Sequence, residues 1–370
     1  MKKYSTIFII VLFATILLIF SGCQKEPIKI GFIGDLSSKN AQLAIDARNS
    51  VEYYVDNLND EGGINGRMVQ LVVKDDESNT DVAHLKHQEL IEEGVKVVIG
   101  HMTSNMREAV EASSNEELLF LSPSMSTTSL SGIDDNFLRT SPLNDMQVVR
   151  FMEYATKNTL DNLVIVYDQI NADYTEVLAA DIVEAYDQEG LNIVSSVAFD
   201  SRVEGVGTLV ERLSDTEFDN ILILAQATNT AYIIQSLSQT HDDFGKYSVS
   251  WSMTDDFIIN GGQVAEGTIF LGIYKPEVES TRTQSFTQGF MDQYSYEPSF
   301  ISYLAYDAID VLCTSLRTTD KIEVASIKKS IIDYGEFEGL METFDVNDYG
   351  DSTRRYLLYR LEDGVFVPMR

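Results

Sequence analysis

Two patterns of apolar residues alternate along the chain. Short runs of consecutive apolar residues, typical of strands buried on both faces, alternate with longer segments whose apolar residues recur every three or four positions, as on one face of a helix. The first strand is predicted at residues 28–33, and the helix after it, at residues 41–58, should stop at Glu61-Gly62-Gly63. Further strands are predicted at residues 69–73, 95–99 and 118–121, and further helices at residues 82–92 and 105–115.

The same alternation restarts in the second half of the chain. Strands are predicted there at residues 163–167, 192–199 and 221–224, and helices at residues 174–189 and 207–213. Strands that alternate with helices predict parallel βαβ units, so the expected fold class is α/β. The irregular segment 137–142 is a candidate hinge strand, and the strand-like segments 269–273 and 356–361 predict that the chain crosses between the halves more than once.

The composition indicates a folded protein with two lobes. Of the 370 residues, 44% are hydrophobic and 23% are charged. A single core usually stops growing near roughly 250–300 residues, so we expect two domains. The formal net charge is −31 and there is no run of Lys and Arg, which a protein needs to neutralise nucleic-acid phosphates. Nucleic acid is therefore not an expected partner.

The first 22 residues are predicted to be a signal peptide. Lys2 and Lys3 precede an uncharged apolar run at residues 7–20, and the run ends in Ser21-Gly22-Cys23. The run is shorter than the ~20 residues that a membrane-spanning helix needs. The small-small-Cys ending resembles a bacterial lipobox, in which Cys23 becomes the lipidated first residue of the mature chain, followed by a short tether at residues 23–27. Ordinary secretion is the alternative. With Cys23 lipidated, only Cys313 remains, so no intramolecular disulfide is expected.

Hydroxyl-rich loops follow two first-lobe strands. Ligands of doubly wound sheets bind at the carboxyl ends of the strands, where helix N-termini offer free N–H groups. Ser104 lies in the loop after residue 99, and Ser124 and Ser126 lie in the loop after residue 121. These loops could bind a carboxylate without a formal positive charge. The alternative is that Ser104 only caps a helix and that residues 124–128 only form a turn.

The second half offers candidate groups for the rest of a ligand. The loop at residues 252–256 carries Asp255 and Asp256, and either carboxylate could pair with a ligand ammonium group. A solvated loop is the alternative. Tyr174 begins a predicted helix, where its ring could cover a ligand or simply pack in the core.

Metal and catalytic motifs are weak. His84 and His87 lie three apart on one helix face, but no carboxylate or Cys completes a zinc set, so two surface histidines are the favoured interpretation. Side chains with oxygen atoms occupy alternate positions in residues 75–81, as in an EF-hand loop. The glycine at the sixth position of such a loop and the Glu at its twelfth position are missing. There is no Gly-x-Ser-x-Gly elbow or phosphate loop. We therefore expect no metal, no cofactor and no enzymatic activity.

Several short motifs, in this order and spacing, together resemble one known family. They occur at residues 28–35, 59–66, 74–76, 97–101, 121–123, 138–142 and 303–308. This set, with the lipobox, resembles the type I periplasmic solute-binding proteins of the Leu/Ile/Val-binding group, which serve ABC importers. The resemblance runs through nearly the whole mature chain.

The resemblance implies two Rossmann-like lobes joined by three crossings, which close on a ligand in the cleft. The first lobe would comprise residues 28–145 and 273–340, and the second lobe residues 146–272 and 341–370. The ligand-binding positions implied by the resemblance are Ser104 for the ligand carboxylate, Ser124, Met125 and Ser126 for the same group, and Tyr174, Thr228, Asp255 and Asp256 from the second lobe. The family's acidic residue for the ligand amine falls near Asp255 or Asp256.

Three departures from the family pattern leave the specificity open. Residues 34–41 lack the common Pro-x-Ser/Thr-Gly pattern, Leu43 stands where relatives have an aromatic residue, and Gln226-Ala227-Thr228 replaces an aromatic-bearing loop. The resemblance implies an extracytoplasmic lipoprotein, anchored to the membrane by lipid, that delivers a small polar solute to an ABC permease. An amino acid or a related amide is the expected ligand. A receptor that reports to a sensor kinase or a chemotaxis protein is the alternative, and a secreted enzyme is a more remote one.

Overall fold

The computed structural model describes residues 25–369, apart from residues 39–40, 114–116, 242, 274–279 and 320. The predicted signal peptide and Cys23 lie outside the described residues. In the described part of the chain, no helix combines the length and the apolar character needed to cross a membrane.

The first lobe is built on a five-stranded parallel sheet. Its elements in chain order are β1 (Ile28–Gly34), α1 (Gln42–Asp60), β2 (Val69–Asp75), α2 (Thr80–Glu92), β3 (Val97–Ile99), α3 (Arg107–Ser113), β4 (Leu119–Ser122) and β5 (Phe137–Arg139). The strand order is β2-β1-β3-β4-β5. The order reverses between β1 and β3, and in such sheets this reversal opens a crevice at the carboxyl ends of the strands.

The local sequence explains where the first helix begins and ends. The buried face of α1 includes Ala44, Ala47, Val51, Val55 and Leu58 at helical spacing. The helix ends before Gly62 and Gly63, whose φ angles are 99° and 73°. The Gly63 N–H donates to Leu58 O at 2.8 Å, and a Cβ on Gly63 would lie 2.0 Å from Arg67 O, so only glycine fits this turn.

The second lobe is built on a larger sheet. Its elements are α4 (Asn144–Asn158), β6 (Leu163–Asp168), α5 (Ala172–Glu189), β7 (Ile193–Phe199), α6 (Val206–Leu213), β8 (Asn220–Leu224), α7 (Ala227–Leu237), β9 (Gly245–Val249), α8 (Asp255–Gly261) and β10 (Ile269–Ile273). Strands β6 to β10 pair in parallel, in the order β10-β9-β8-β6-β7.

The last part of the chain contributes to both lobes. Its elements are α9 (Thr281–Tyr294), α10 (Phe300–Thr318), α11 (Val324–Tyr334), β11 (Glu336–Glu338), β12 (Thr343–Asp345), β13 (Tyr356–Glu362) and β14 (Val365–Pro368). Helices α10 and α11 pack in the core of the first lobe with α1, β1 and β3. Strand β13 pairs antiparallel with β10 and completes the second sheet with β14. The two-lobed α/β fold expected from the sequence is confirmed.

The chain passes between the lobes three times, after β5, after β10 and after β12. Residues beyond the predicted lobe boundary at residue 341 still contact the first lobe. Phe344 and Val346 are buried in the first-lobe core, and Gly350 O accepts the Arg139 N–H at 2.9 Å. Residues up to 352 therefore pack on the first lobe, because β12 pairs with β11 before the chain leaves for β13.

Buried ion pairs anchor the crossings to the first lobe. Arg139, at the end of β5, lies 3.0 Å from the Asp351 carboxylate, and both side chains are buried. Arg354, in the third crossing, bonds to Asp307 on α10, and its guanidinium lies 3.8 Å from the centre of the Phe344 ring. Such pairs fix the geometry of the hinge, since a buried charge must keep its partner.

Candidate functional site

Loops from the carboxyl ends of strands in both sheets face a cleft between the lobes. The loops after β3 and β4 line it from the first lobe, and the loops after β6, β8 and β9 line it from the second. Helix α1 and the start of α10 form another wall. The cleft is a chain of adjoining cavities that differ in chemistry.

One cavity, the hydroxyl end, is lined by serine and tyrosine side chains. It has a volume of about 40 Å³, and Ser104, Ser124, Ser126, Tyr174 and Tyr356 lie in its wall. Ser104 is only 2% exposed and begins a 3-10 helix at Ser104–Met106. Within the described residues its hydroxyl makes no hydrogen bond, and it is therefore available to a ligand. The hydroxyl of Ser124 already donates to Met102 O at 2.6 Å.

Met125 does not belong to this wall. Its side chain is fully buried in the first-lobe core beside β3 and β4. Its N–H donates to Ser122 Oγ at 3.0 Å, and its carbonyl accepts from Arg139 and Ser141. The tight turn at Ser122 directs the Met125 side chain inwards. A contact of residues 124–126 with the ligand, which the resemblance implies, stays a prediction.

Tyr174 reaches the hydroxyl end from helix α5 of the second lobe. Its hydroxyl donates to Gln147 Oε1 at 3.1 Å, and its ring meets that of Trp251 edge-on, with 6.2 Å between the ring centres. Burial raises the pKa of Tyr174 well above its ordinary value, so the hydroxyl stays neutral. Tyr174 therefore serves as a polar wall and as a support for Trp251.

Three apolar side chains separate the hydroxyl end from the next cavity. Leu43, Trp251 and Phe300 line both cavities, and we call them the collar. They come from α1, from the loop after β9 and from the start of α10. Only Leu43 is singled out by the sequence, as a departure from the family pattern.

The cavity beyond the collar, the acidic end, carries carboxylates from both lobes. It has a volume of about 280 Å³, and Asp46 of the first lobe and Thr228 and Asp256 of the second lobe are in its wall. Asp255 lines a neighbouring cavity together with Asp256 and Glu297. Thr228 lies in the first turn of α7.

Asp46 is a cleft residue that no sequence motif predicts. It is buried and accepts hydrogen bonds from Gln42 at 2.6 Å, Tyr296 at 2.9 Å and Ser299 at 2.6 Å. Burial raises the pKa of its carboxyl, these hydrogen bonds oppose the rise, and the charge of Asp256 adds to it. Its i, i+4 spacing from Gln42 was the available signal, since this spacing places both polar side chains on one side of α1, opposite the apolar face.

The lobes touch at the rim of the cleft. The Asn105 N–H donates to Asn171 Oδ1 at 3.0 Å, and Arg107 Nε lies 3.6 Å from Asp173 Oδ1. Both contacts join the loop and helix after β3 to the start of α5. The structure therefore shows the lobes in contact.

The histidines are arranged differently from the expectation. His87 is fully buried and belongs to a chain of hydrogen bonds. His87 Nδ1 lies 2.8 Å from Ser113 Oγ, its Nε2 lies 2.8 Å from His101 Nε2, and His101 Nδ1 lies 2.6 Å from Asp76 Oδ2. The interpretation of His87 as a surface residue was wrong, because α2 turns this face towards β3.

One set of protons satisfies the whole histidine chain. In this arrangement Ser113 donates to His87, His87 donates to His101, and His101 donates to Asp76. Burial, with the nearby His101 and His84, lowers the pKa of His87 to about 3. Among the described residues, no three His, Cys, Asp or Glu side chains are grouped to hold a metal ion.

Comparisons with known proteins agree with this architecture. The Leu/Ile/Val-binding protein homolog 4 of Brucella abortus (strain 2308) is 21% identical over 344 residues, which cover 85% of this chain and 81% of that protein. The fold is similar to that of LivJ from Streptococcus pneumoniae, a substrate-binding protein of the branched-chain amino acid transporter solved in complex with isoleucine. The TM-score is 0.82 at 20% identity, and the match covers 93% of this chain and 99% of LivJ.

A further solved structure has the same fold with a different ligand. The solute-binding protein of an ABC transporter from Rhodopseudomonas palustris BisB5, in complex with 3,4-dihydroxy benzoic acid, has a TM-score of 0.82 at 17% identity, with 93% of this chain and 96% of that chain covered. The sequence profile of the periplasmic binding proteins matches residues 27–365, which is nearly all of the described chain. The chain therefore belongs to the periplasmic binding protein family and is a solute-binding protein, not an enzyme.

Proposed function

We propose that this protein captures a small amino acid, or a related amide, outside the cytoplasm and delivers it to an ABC permease. The observation that carries the proposal is the hydroxyl end, where the buried Ser104 hydroxyl lacks a partner within the described residues and faces the cleft. A carboxylate seated there would accept hydrogen bonds from hydroxyl and N–H groups at the carboxyl ends of β3 and β4.

The relatives support a carboxylate ligand. The Brucella abortus protein is named for Leu, Ile and Val, and the two solved structures hold isoleucine and a hydroxylated benzoic acid. Isoleucine and the benzoic acid share a carboxylate and differ in every other group. The hydroxyl end fits the shared group, and the remainder of the cleft would determine which ligand is chosen.

Binding would proceed by closure of the lobes about the hinge. The ligand would first meet the first-lobe hydroxyls and then the second-lobe groups at Tyr174, Thr228 and Asp256. Contacts made only in the closed form shift the population towards it. The contacts of Asn105 with Asn171 and of Arg107 with Asp173 would add to the closed form.

A thermal-shift screen tests the proposal. A ligand that binds only the folded state, at a hundredfold excess over its Kd, adds about 2.7 kcal/mol of stability. We expect a clear rise of Tm with at least one class among amino acids and small amides. Simple carboxylates and ureas serve as comparison classes, and a shift with these alone would contradict the proposal.

Ser104→Ala should weaken ligand binding about tenfold to a hundredfold, because it removes a hydrogen bond to a charged group worth about 1.5–3 kcal/mol. Calorimetry with the ligand found in the screen measures this change. Ser214→Ala, at an exposed position of the second lobe, is the control and should bind as the wild type does. Unchanged affinity in Ser104→Ala would remove Ser104 from the site.

We further propose that Cys23 carries lipid and holds the protein at the membrane. Cys23→Ala should move most of the protein from the membrane fraction to the soluble fraction, since the acyl chains supply the anchoring energy. Fractionation followed by immunoblotting measures the distribution. If the variant stays in the membrane fraction, another attachment holds the protein there.

A further inference from the structure

The two ends of the cleft differ in charge. No formal charge is present among the described residues that line the hydroxyl end. The charged residues lining the acidic end and its neighbouring cavity are all acidic, and among the described residues no Lys or Arg lines either cavity. These charged residues are Asp46, Asp255, Asp256 and Glu297.

Asp46 is the unusual member of this set. It is only 4% exposed, yet its hydrogen bonds come from an amide and two hydroxyls, all of them neutral groups. Asp256 lines the same cavity from the opposite lobe, and its charge raises the pKa of Asp46 further, although less than burial does. Closing the cleft without a ligand therefore brings two negative charges together in a partly desolvated space, where like charges repel more strongly than in water.

The collar indicates which part of a ligand would lie between the two ends of the cleft. Leu43, Trp251 and Phe300 are apolar and line both cavities, so a ligand that reaches from one end to the other presents an apolar segment to them. The acidic end is far larger than the hydroxyl end, at about 280 Å³ against about 40 Å³. It has room for a charged group with part of its linker.

We propose that the ligand is an amino acid with a cationic side chain, such as lysine, ornithine or arginine, whose cationic group binds between Asp46 and Asp256. This inference rests on the proposed amino-acid function and refines it. The carboxylate occupies the hydroxyl end near the unpartnered Ser104, the methylene groups pass the collar, and the distal cation neutralises the repulsion between the lobes. Asp46 and Asp256 thereby determine specificity.

The test compares ligands of equal length with and without the charge. Calorimetry of the purified protein at neutral pH and low salt measures binding of L-lysine against L-norleucine, and of L-arginine against L-citrulline. We expect each cationic ligand to bind at least about tenfold more tightly than its neutral counterpart, as charge-assisted hydrogen bonds require. Equal or tighter binding of norleucine or leucine would overturn the inference.

Variants then assign the effect to the two carboxylates. Asp256→Asn changes an exposed side chain, so it tests the charge without disturbing the core, and it should reduce the lysine-to-norleucine preference about tenfold. Asp46→Asn should do the same, and its melting curve establishes that it is folded. Asp333→Asn removes an equal charge at an exposed position of α11 and should leave the preference unchanged.

The results separate the inference from the function on which it rests. Binding of neutral amino acids with no preference for a cation contradicts the cationic side chain and leaves the amino-acid function standing. Failure of every amino acid to bind contradicts both. A cation preference that survives in Asp256→Asn and in folded Asp46→Asn removes these carboxylates from the role assigned to them.

Discussion

Asp307→Asn is expected to lower the free energy of unfolding by about 3–5 kcal/mol, because it leaves the buried guanidinium of Arg354 without its main counter-charge. Both side chains are fully buried, and Asp307 also accepts the Leu340 N–H at 2.7 Å. The nearest alternative carboxylate is that of Glu342, 3.9 Å from Arg354 Nε. Urea unfolding followed by circular dichroism measures the loss.

Two further variants separate the buried charge from a general packing effect. Arg354→Met in the Asp307→Asn background removes the uncompensated charge and should recover part of the lost stability. Asp333→Asn breaks the exposed pair with Lys329 and should cost less than about 1 kcal/mol. A loss below about 1 kcal/mol in Asp307→Asn itself would show that the third crossing does not depend on this pair.

The second large effect is a loss of stability in acid that arises from His87. Its pKa is lowered to about 3 in the folded protein, with burial as the main cause, whereas an unfolded histidine titrates near 6.5. Between these values the unfolded chain binds the proton and the folded protein does not. The free energy of unfolding therefore falls as the pH falls below about 6.5, by about 1.4 kcal/mol per pH unit.

Between pH 7.5 and pH 4.5 this single group should remove about 3 kcal/mol of stability. Urea unfolding at the two pH values, in the wild type and in His87→Gln, measures the contribution as the difference between the two pH dependences. Carboxylates that titrate in the same interval contribute to both proteins and cancel. Ser214→Ala, at an exposed position that does not titrate, is the control, and it should keep the wild-type dependence. An identical dependence in His87→Gln would contradict the lowered pKa.

Element prediction succeeded where the apolar pattern is local and one-sided. Helix α1 is predicted at residues 41–58 and observed at Gln42–Asp60, because one apolar face and two glycines define it within the segment itself. Helix α10 is absent from the predictions. It packs between α1 and α11 with most of its surface buried. Its apolar residues nevertheless recur at helical spacing, so the signal for this helix was present in the sequence.

The site was only partly visible in the sequence. The loops after β3 and β4 could be proposed because strand ends in parallel sheets carry ligands, and Ser104 indeed lines the cleft. Within the loop after β4 the Ser124 and Ser126 side chains line the cleft, whereas the Met125 side chain packs in the core, and no sequence pattern distinguishes these directions. Trp251 and Phe300 were missed as cleft residues, because single aromatic residues carry no motif.

The sequence alone therefore determined the two α/β units and the family resemblance, which depend on patterns within short segments, and it predicts the leader. Only the tertiary structure decided which distant residues meet. Asp46 and Asp256 belong to opposite lobes, and His87 and Asp76 meet through His101. Whether such residues meet depends on the strand order and on the angle between the lobes. The energy of a buried charge depends on the groups around it, and no local sequence pattern specifies those groups.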